Sequence, residues 1–368
     1  MKNMKIGKID GSITRIGNLM FIIILISLFS CALKKNTSQK IMEESVHQTE
    51  GLIQAKNDLL VGKSKAICYS GFRTGQHPDR GDGAKNPSYE EVLEDLEILS
   101  EKLNFQLIRI YDSGENSELV LRVIEENNIN IKVMLGIWLR AELSNHNTCS
   151  WLTEPIPQDE LEQNKKLNLV EIEKGISLAN EFKDIVVAVN VGNEALVDWN
   201  DHKVNTDTII TYVQKVKKSI YQDVTVADNY KWWADNGAEL AKVVDFVSVH
   251  IYPIWEGKDI NEGLSFSIEN LEEVKRTIPN AKIVITEAGW PSVAYEFGER
   301  ASEEKQKQYY NEFMSWTQEM NITTFWFEAF DEDWKGETNN MMGAEKHWGL
   351  YTVDRNPKEV IKAQLITN

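Results

Sequence analysis

From Lys65 onward the chain alternates eight times between a short apolar run and a longer amphipathic one, and few folds accept that rhythm. The short runs are "KAICYSGF", "FQLIRIYD", "IKVMLGIWL", "IVVAVNVGNE", "VTVADNY", "VDFVSVHIY", "AKIVITEAG" and "TTFWFEAF". They are rich in β-branched and aromatic residues with little alternation, the pattern of strands enclosed on both faces. Between them lie helix-like segments such as "SYEEVLEDLEILSEKL", where Ser88 followed three residues later by Glu91 predicts a capping box. "SELVLRVIEEN", "LNLVEIEKGISLANEF", "TDTIITYVQKVKKSI", "SFSIENLEEVKRTI", "SEEKQKQYYNEFMSWTQEM" and "NPKEVIKAQLI" follow the same spacing, and the fifth helix is expected to be short, within "NGAELAKV". Parallel strands joined by crossover helices over roughly 300 residues close most simply into a single α/β domain, a (β/α)8 TIM barrel. An open doubly wound sheet is the alternative, but no Gly-x-Gly-x-x-Gly follows the first strand. The sequence shows no short internal repeat and no interior linker.

Ahead of the alternation the character changes. Lys2, Lys5, Lys8 and Arg15 precede the apolar run "LMFIIILISLF", too short to span a bilayer comfortably at the ~20 residues a helix needs. The run closes on Leu28, Phe29, Ser30 and Cys31, which resembles a bacterial lipobox, with cleavage before the cysteine that carries the lipid. An ordinary cleaved signal and an uncleaved anchor are the alternatives, and all three place the protein outside the cytoplasm. The expected division is an export signal over 1–30, a polar tether over 31–63 and the barrel over 64–368. Membrane contact is expected through lipid on Cys31 alone.

Composition narrows the chemistry. A net charge of −17, from 40 basic against 57 acidic residues spread along the chain, argues against nucleic acid and suits a neutral ligand. The chain contains 3 cysteines, too few for a disulfide framework, although Cys68 and Cys149 could meet at a barrel mouth. The 6 histidines are scattered, and neither Cys-x-x-Cys nor His-Glu-x-x-His occurs, so no metal and no cofactor is expected. The barrel is expected to act as a monomer.

Two of the strands end unusually. "IVITEAGWPS" sets Glu287 at the C-terminal end of the seventh, and "IVVAVNVGNEALVDW" sets Glu194 at the end of the fourth. In a barrel, chemistry is built where strand C-termini meet their loops, so two carboxyl groups can face each other across one cleft. Glycosidic-bond cleavage needs that arrangement: one carboxyl gives a proton while the other stays ionised.

Here the sequence resembles a known family. "IVITEAGWPS" is similar to the nucleophile signature of glycoside hydrolase family 17, the β-1,3-glucanase family, and "VNVGNEAL" to its acid/base strand. "CYSGF", "IRIYD", "HIYPIW" and "FDEDWK" resemble its first, second, sixth and eighth strand ends, in order from about Lys65 to Asp354. His250 stands where plant members carry Asn, and "LRAELSNHNTCSWLTEPIPQDELEQ" and "WKGETNNMMGAEKHW" look longer than the family norm. The resemblance implies retaining hydrolysis of β-1,3-glucan, with Glu287 as nucleophile and Glu194 as acid/base. It also implies that Asn193 meets the 2-hydroxyl of the reacting sugar and that Glu332 and Lys335 pair to order the site.

Sugar rings pack their C–H faces on flat π-systems, so aromatic residues at strand ends are candidate subsites. Tyr111, Trp138, Tyr252, Trp255 and Trp290 occupy such positions. His250 is read either as orienting a carboxylate or as a satisfied core histidine. Two other functions remain open at this point: a β-1,3-glucan transglycosylase, and a non-catalytic surface glucan-binding lipoprotein that has kept the barrel.

Overall fold

The computed structural model describes residues 65–366 apart from 80 and 82, so the expected signal, Cys31 and the tether lie outside the described residues. Eight parallel strands close in sequence order: β1 (Ala66–Cys68), β2 (Leu107–Arg109), β3 (Lys132–Ile137), β4 (Val186–Asn193), β5 (Asp223–Asn229), β6 (Val247–Ile251), β7 (Ile283–Ala288) and β8 (Thr324–Trp326). The ring closes where Ala66 of β1 pairs with Phe325 of β8. The helices are α1 (Tyr89–Glu97), α2 (Glu115–Glu126), α3 (Gln158–Glu181), α4 (Thr206–Lys217), α5 (Tyr230–Asn236), α6 (Ile260–Thr277), α7 (Glu303–Glu319) and α8 (Glu359–Ile366). The (β/α)8 barrel expected from the alternation is therefore present, and no helix among the described residues is long and apolar enough to cross a membrane.

Local chemistry accounts for the helix boundaries. Ser88 and Glu91 form the expected capping box ahead of α1, each side chain meeting the other's backbone N–H. Helix α3 begins at Gln158, several residues before the apolar spacing starts, so part of the segment noted as longer than the family norm is helical. The fifth helix lies before "NGAELAKV" rather than within it. The side chain of Asn229 accepts from the N–H of Lys231 and starts α5 there, while "NGAELAKV" supplies only a 3-10 turn at Leu240–Lys242. Cys68 and Cys149 are both buried and unpaired. The Cys68 thiol donates to the carbonyl of Thr286 at 3.3 Å, and burial pushes it up to about 12, so it is an inert packing group.

Strand pairing loses its register at the rim. It shifts between Asn190 and Asn193 on β4, between Val249 and His250 on β6, and between Ile285 and Ala288 on β7. Irregularities of this kind re-aim side chains, and these three precede or include the polar residues of the strand ends. Gly192 takes φ +86° and Glu194 φ +46°, so the chain turns sharply as it delivers the Glu194 side chain.

Close approach matters at Gly136 on β3. A Cβ there would stand 2.2 Å from the carbonyl carbon and oxygen of Tyr111, both of them backbone atoms. Gly136→Ala is therefore expected to displace the segment after β2 and to cost about 1–3 kcal/mol, read as a lower midpoint of urea unfolding. An unchanged midpoint would show that the loop yields freely.

Candidate active site

The site begins with a charge placed inside the barrel. Arg109 ends β2 with its side chain fully buried, and a guanidinium there requires carboxylate partners. Its Nη1 lies 2.5 Å from Oε1 of Glu287, whose side chain is 7% exposed, and its Nη2 donates to Oδ1 of Asn193 at 2.5 Å. Two phenols complete the shell of Glu287: Tyr111 donates to Oε1 at 3.1 Å and Tyr252 to Oε2 at 2.7 Å. Burial alone would push the Glu287 carboxyl up. The opposing influence of His250, Arg109 and Tyr252 outweighs it and holds Glu287 below the usual carboxylate range.

Glu194 sits in a different environment, with its side chain 20% exposed. Asn200 Nδ2 donates to Oε2 at 3.0 Å and to the Glu194 carbonyl at 3.2 Å. His250, buried on β6, bridges the two acids through Nδ1, 2.9 Å from Oε1 of Glu194 and 3.5 Å from Oε2 of Glu287. Of the two readings of His250, the structure realises the one in which it orients carboxylates. Oxygens of Glu194 and Glu287 approach within 4.8 Å of each other and of a His250 nitrogen, a donor set of the kind that could also hold a cation.

A second acidic cluster flanks the pair. Lys335 reaches Oε2 of Glu328 at 2.5 Å and Oε2 of Glu332 at 2.7 Å, so the expected Glu332–Lys335 pair forms and gains a third member. Burial raises Glu328 well above the usual range. Burial would raise Glu332 too, but Lys335, Ser70 and Trp334 hold it below that range. The Glu345 carboxyl, beyond β8, is raised by burial, and the charges of Glu194, Glu287 and Glu296 push it the same way.

The aromatic candidates separate. Tyr111 and Tyr252 spend their hydroxyls on Glu287. Trp138 is half-buried and packs on the His202 ring at 4.7 Å, whereas Trp255 is 47% exposed and meets Phe297 edge-on. Trp290 does not reach the cleft. It is 0% exposed, donates its ring N–H to the carbonyl of Arg300 at 2.9 Å, and packs against Tyr309 of α7 and Gly263 of α6. The turn after Gly289 swings the indole outward into the helical layer, so Trp290 is a core residue. Arg109, Asn200, His202, Glu328 and Glu345 were not singled out from sequence. Arg109 alone carried a signal, as a charge inside the apolar run "LIRIY". Asn200 and His202 act through a loop whose path no periodicity encodes.

The BtgE/BtgC glycoside hydrolase domain matches residues 66–349, which is the whole barrel up to its last helix. The chain belongs to that family. It is 26% identical to a glucan 1,3-beta-glucosidase of Arthroderma benhamiae over 78% of this chain and 88% of that protein. It is 28% identical to a probable glucan endo-1,3-beta-glucosidase, btgC, of Aspergillus fumigatus over 75% of this chain. The match spans only 40% of that longer protein. Among solved structures, an endo-laminarinase from Formosa superposes with a TM-score of 0.73 at 28% identity, covering 84% of this chain and 88% of that one. A glycoside hydrolase family 17 β-1,3-glucanosyltransferase from Rhizomucor miehei, at 22% identity and a TM-score of 0.60 over 81% of this chain and 96% of that one, shares the fold.

The donors around Glu287 give its titration a definite sign. A carboxyl whose folded pKa is depressed adds stability above its unfolded pKa and loses it as pH falls through the folded value. Tyr252→Phe removes one donor, so the carbon-13 titration of the Glu287 carboxyl is expected to move to higher pH. The stability lost in Tyr252→Phe should be larger at neutral pH than below that titration. A titration that stayed in place would show that Arg109, His250 and Tyr111 set it without Tyr252.

Proposed function

We propose that this glycoside hydrolase cleaves β-1,3-glucosidic bonds in laminarin-type glucans with retention, using Glu287 as nucleophile and Glu194 as acid/base. The observation that carries the reading is the unequal treatment of two carboxyl groups whose oxygens lie within 4.8 Å. Retaining enzymes place the pair about 5–5.5 Å apart, whereas inverting enzymes leave about 6.5–9.5 Å for a water. The glucan named as substrate of the Arthroderma, Aspergillus and Formosa relatives supports the substrate class.

The chemistry follows from the environments. Arg109, Tyr111 and Tyr252 keep Glu287 ionised and fix its direction, so one oxygen bonds to the anomeric carbon as the glycosidic C–O bond breaks. Glu194 gives its proton to the departing sugar oxygen and becomes a carboxylate. It then takes a proton from water as the water oxygen attacks the anomeric carbon, which releases Glu287 as carboxylate and restores Glu194 as acid. His250 sits between the acids and exchanges hydrogen bonds with both as charge passes from one to the other. Asn193, steered by Arg109, keeps its amide N–H₂ for the 2-hydroxyl of the reacting sugar. Trp138 and Trp255 offer ring faces at the mouth, and Glu332 with Lys335 shapes the floor.

Export to the cell envelope belongs to the same reading, supported by the basic residues, the apolar run and Cys31. Lipid on Cys31 and a tether of about 30 residues would let the barrel sweep polysaccharide near the membrane.

Glu287→Gln is expected to abolish turnover on every glucan. Glu194→Gln should lose roughly 10²–10⁴-fold on laminarin but keep the first step on an activated aryl glycoside, whose leaving group needs no proton. Azide should rescue the Glu194 variant to a β-azide and the Glu287 variant to an α-azide, distinguished by NMR. Near-wild-type laminarin activity in both would remove the assignment, and exchanged azides would reverse the roles. For location, the wild-type protein should partition into detergent and Cys31→Ala should not. A freely soluble wild-type product cleaved elsewhere would end the anchor reading.

A further inference from the structure

One wall of the cleft is built more carefully than the mechanism above requires. It combines residues 138–157, which follow β3, with residues 194–205, which follow β4. Asn145 Nδ2 donates to the carbonyls of Asp198 at 2.8 Å and Asn200 at 2.7 Å, and Thr148 Oγ1 donates to the same Asp198 carbonyl at 2.9 Å. The N–H groups of Glu142 and Leu143 both meet the Lys203 carbonyl, at 2.9 and 3.0 Å. Asn168 of α3, itself buried, holds the foot of the first loop through Arg140 and Glu142. Two loops stitched in this way move as one body, and Asn200 joins that body directly to the Glu194 carboxyl.

On this frame two large indoles stand in water: Trp151 is 56% exposed and Trp199 44%. Trp151 is nevertheless held in place. Its loop is anchored beside it, where the N–H of Leu152 meets the carbonyl of the buried Cys149 at 3.2 Å, and the indole joins His202 in holding the Asp201 carboxyl below the usual range, with His202 Nδ1 3.1 Å from that carboxylate. The other ring nitrogen of His202 lies 2.8 Å from the carbonyl of Asn193, and the ring packs on Trp138. An indole oriented in advance gives up little side-chain entropy when a flat apolar partner lands on it, so such a surface binds efficiently. The side of the cleft follows from chemistry. A general acid stands beside the oxygen of the leaving sugar, while the nucleophile stands beneath the anomeric carbon. The loop that holds Glu194 therefore flanks the leaving-group side.

We propose that Trp151 and Trp199 form a stacking platform for the leaving-group portion of a β-1,3-glucan chain, which makes this wall the site that selects long substrates. The proposal rests on the reading of Glu194 and Glu287 as the catalytic pair and adds the binding site that feeds it. Pyranose rings linked β-1,3 present C–H faces to such a surface, and a rigid wall passes the register of the chain to the acid that must meet one glycosidic oxygen.

Two substrates separate the platform from the chemistry. β-Laminaribiosyl fluoride reacts from the non-reducing side alone, because fluoride leaves without filling a sugar site, whereas laminarihexaose extends across the cleft. Trp151→Ala and Trp199→Ala are each expected to lower the ratio of kcat/KM for laminarihexaose to kcat/KM for the fluoride by about tenfold. The ratio cancels any misfolded fraction. Trp151→Tyr keeps an aromatic face and should restore most of the ratio. An unchanged ratio in both alanine variants overturns the platform, as does a Trp151→Tyr ratio no better than that of Trp151→Ala. Glu287→Gln measured alongside tests the underlying reading separately, since turnover of the fluoride by that variant would overturn the catalytic pair whatever the tryptophans did.

Discussion

The buried ion pair between Arg109 and Glu287 is the contact that the rest of the site is arranged around. Neither charge has much access to water, and each would cost several kcal/mol if left alone. Because they meet at 2.5 Å, both are retained at the C-terminal mouth of the barrel. The pair also ties strands together. Arg109 comes from β2 and Glu287 from β7, while the second guanidinium nitrogen of Arg109 holds Asn193 at the end of β4. Tyr252, just past β6, adds a fourth anchor through its phenol. A carboxylate held from this many directions has one orientation and stays ionised, which are the two requirements of a carboxylate nucleophile.

Glu194 differs because its neighbours do. It has no guanidinium partner among the described residues, keeps more contact with solvent, and is steadied by an amide and an imidazole. The two glutamates therefore stand in different surroundings within one cleft, Glu287 enclosed by a guanidinium and two phenols and Glu194 partly open to solvent. The outer cluster follows the same logic. Lys335 lies between Glu328 and Glu332, so acids that would repel each other are held by a single cation. A cleft with this many carboxyl groups favours a neutral polyhydroxylated ligand over an anionic one, in keeping with the net charge of −17.

The loops divide the remaining work unequally. Those after β3 and β4 are sewn together by Asn145, Thr148 and the Lys203 carbonyl, and they carry exposed indoles. Those after β7 and β8 cross-link through the N–H of Tyr295 to the carbonyl of Met342 and through Glu296 to the N–H of Ala344, and they bring Glu345 toward the acids. The barrel holds Glu194 and Glu287, and the two long segments noted in the sequence contribute to the loops around them. A TIM barrel commonly divides chemistry and specificity in this way.

Sequence alone determined the barrel, because eight doubly buried strands and their crossover helices have a periodicity that survives without coordinates. It also singled out Glu194 and Glu287, since an acid at the end of an apolar strand is costly unless used. It could not distinguish Trp290, which the turn after Gly289 sends into the helical layer, from Trp151, which a loop presents to solvent. Both are tryptophans beyond a strand end, and only the three-dimensional path of the chain decides which face meets water. Nor could it show that the hydroxyls of Tyr111 and Tyr252 serve Glu287, or that His250 lies between the two acids. Those contacts join residues 35 to 176 positions apart, brought together by barrel closure and by the register shifts at the rim. Local sequence sets which side chains stand at the mouth. The closed sheet sets their distances, and those distances decide that Glu287 is the carboxyl held as an anion.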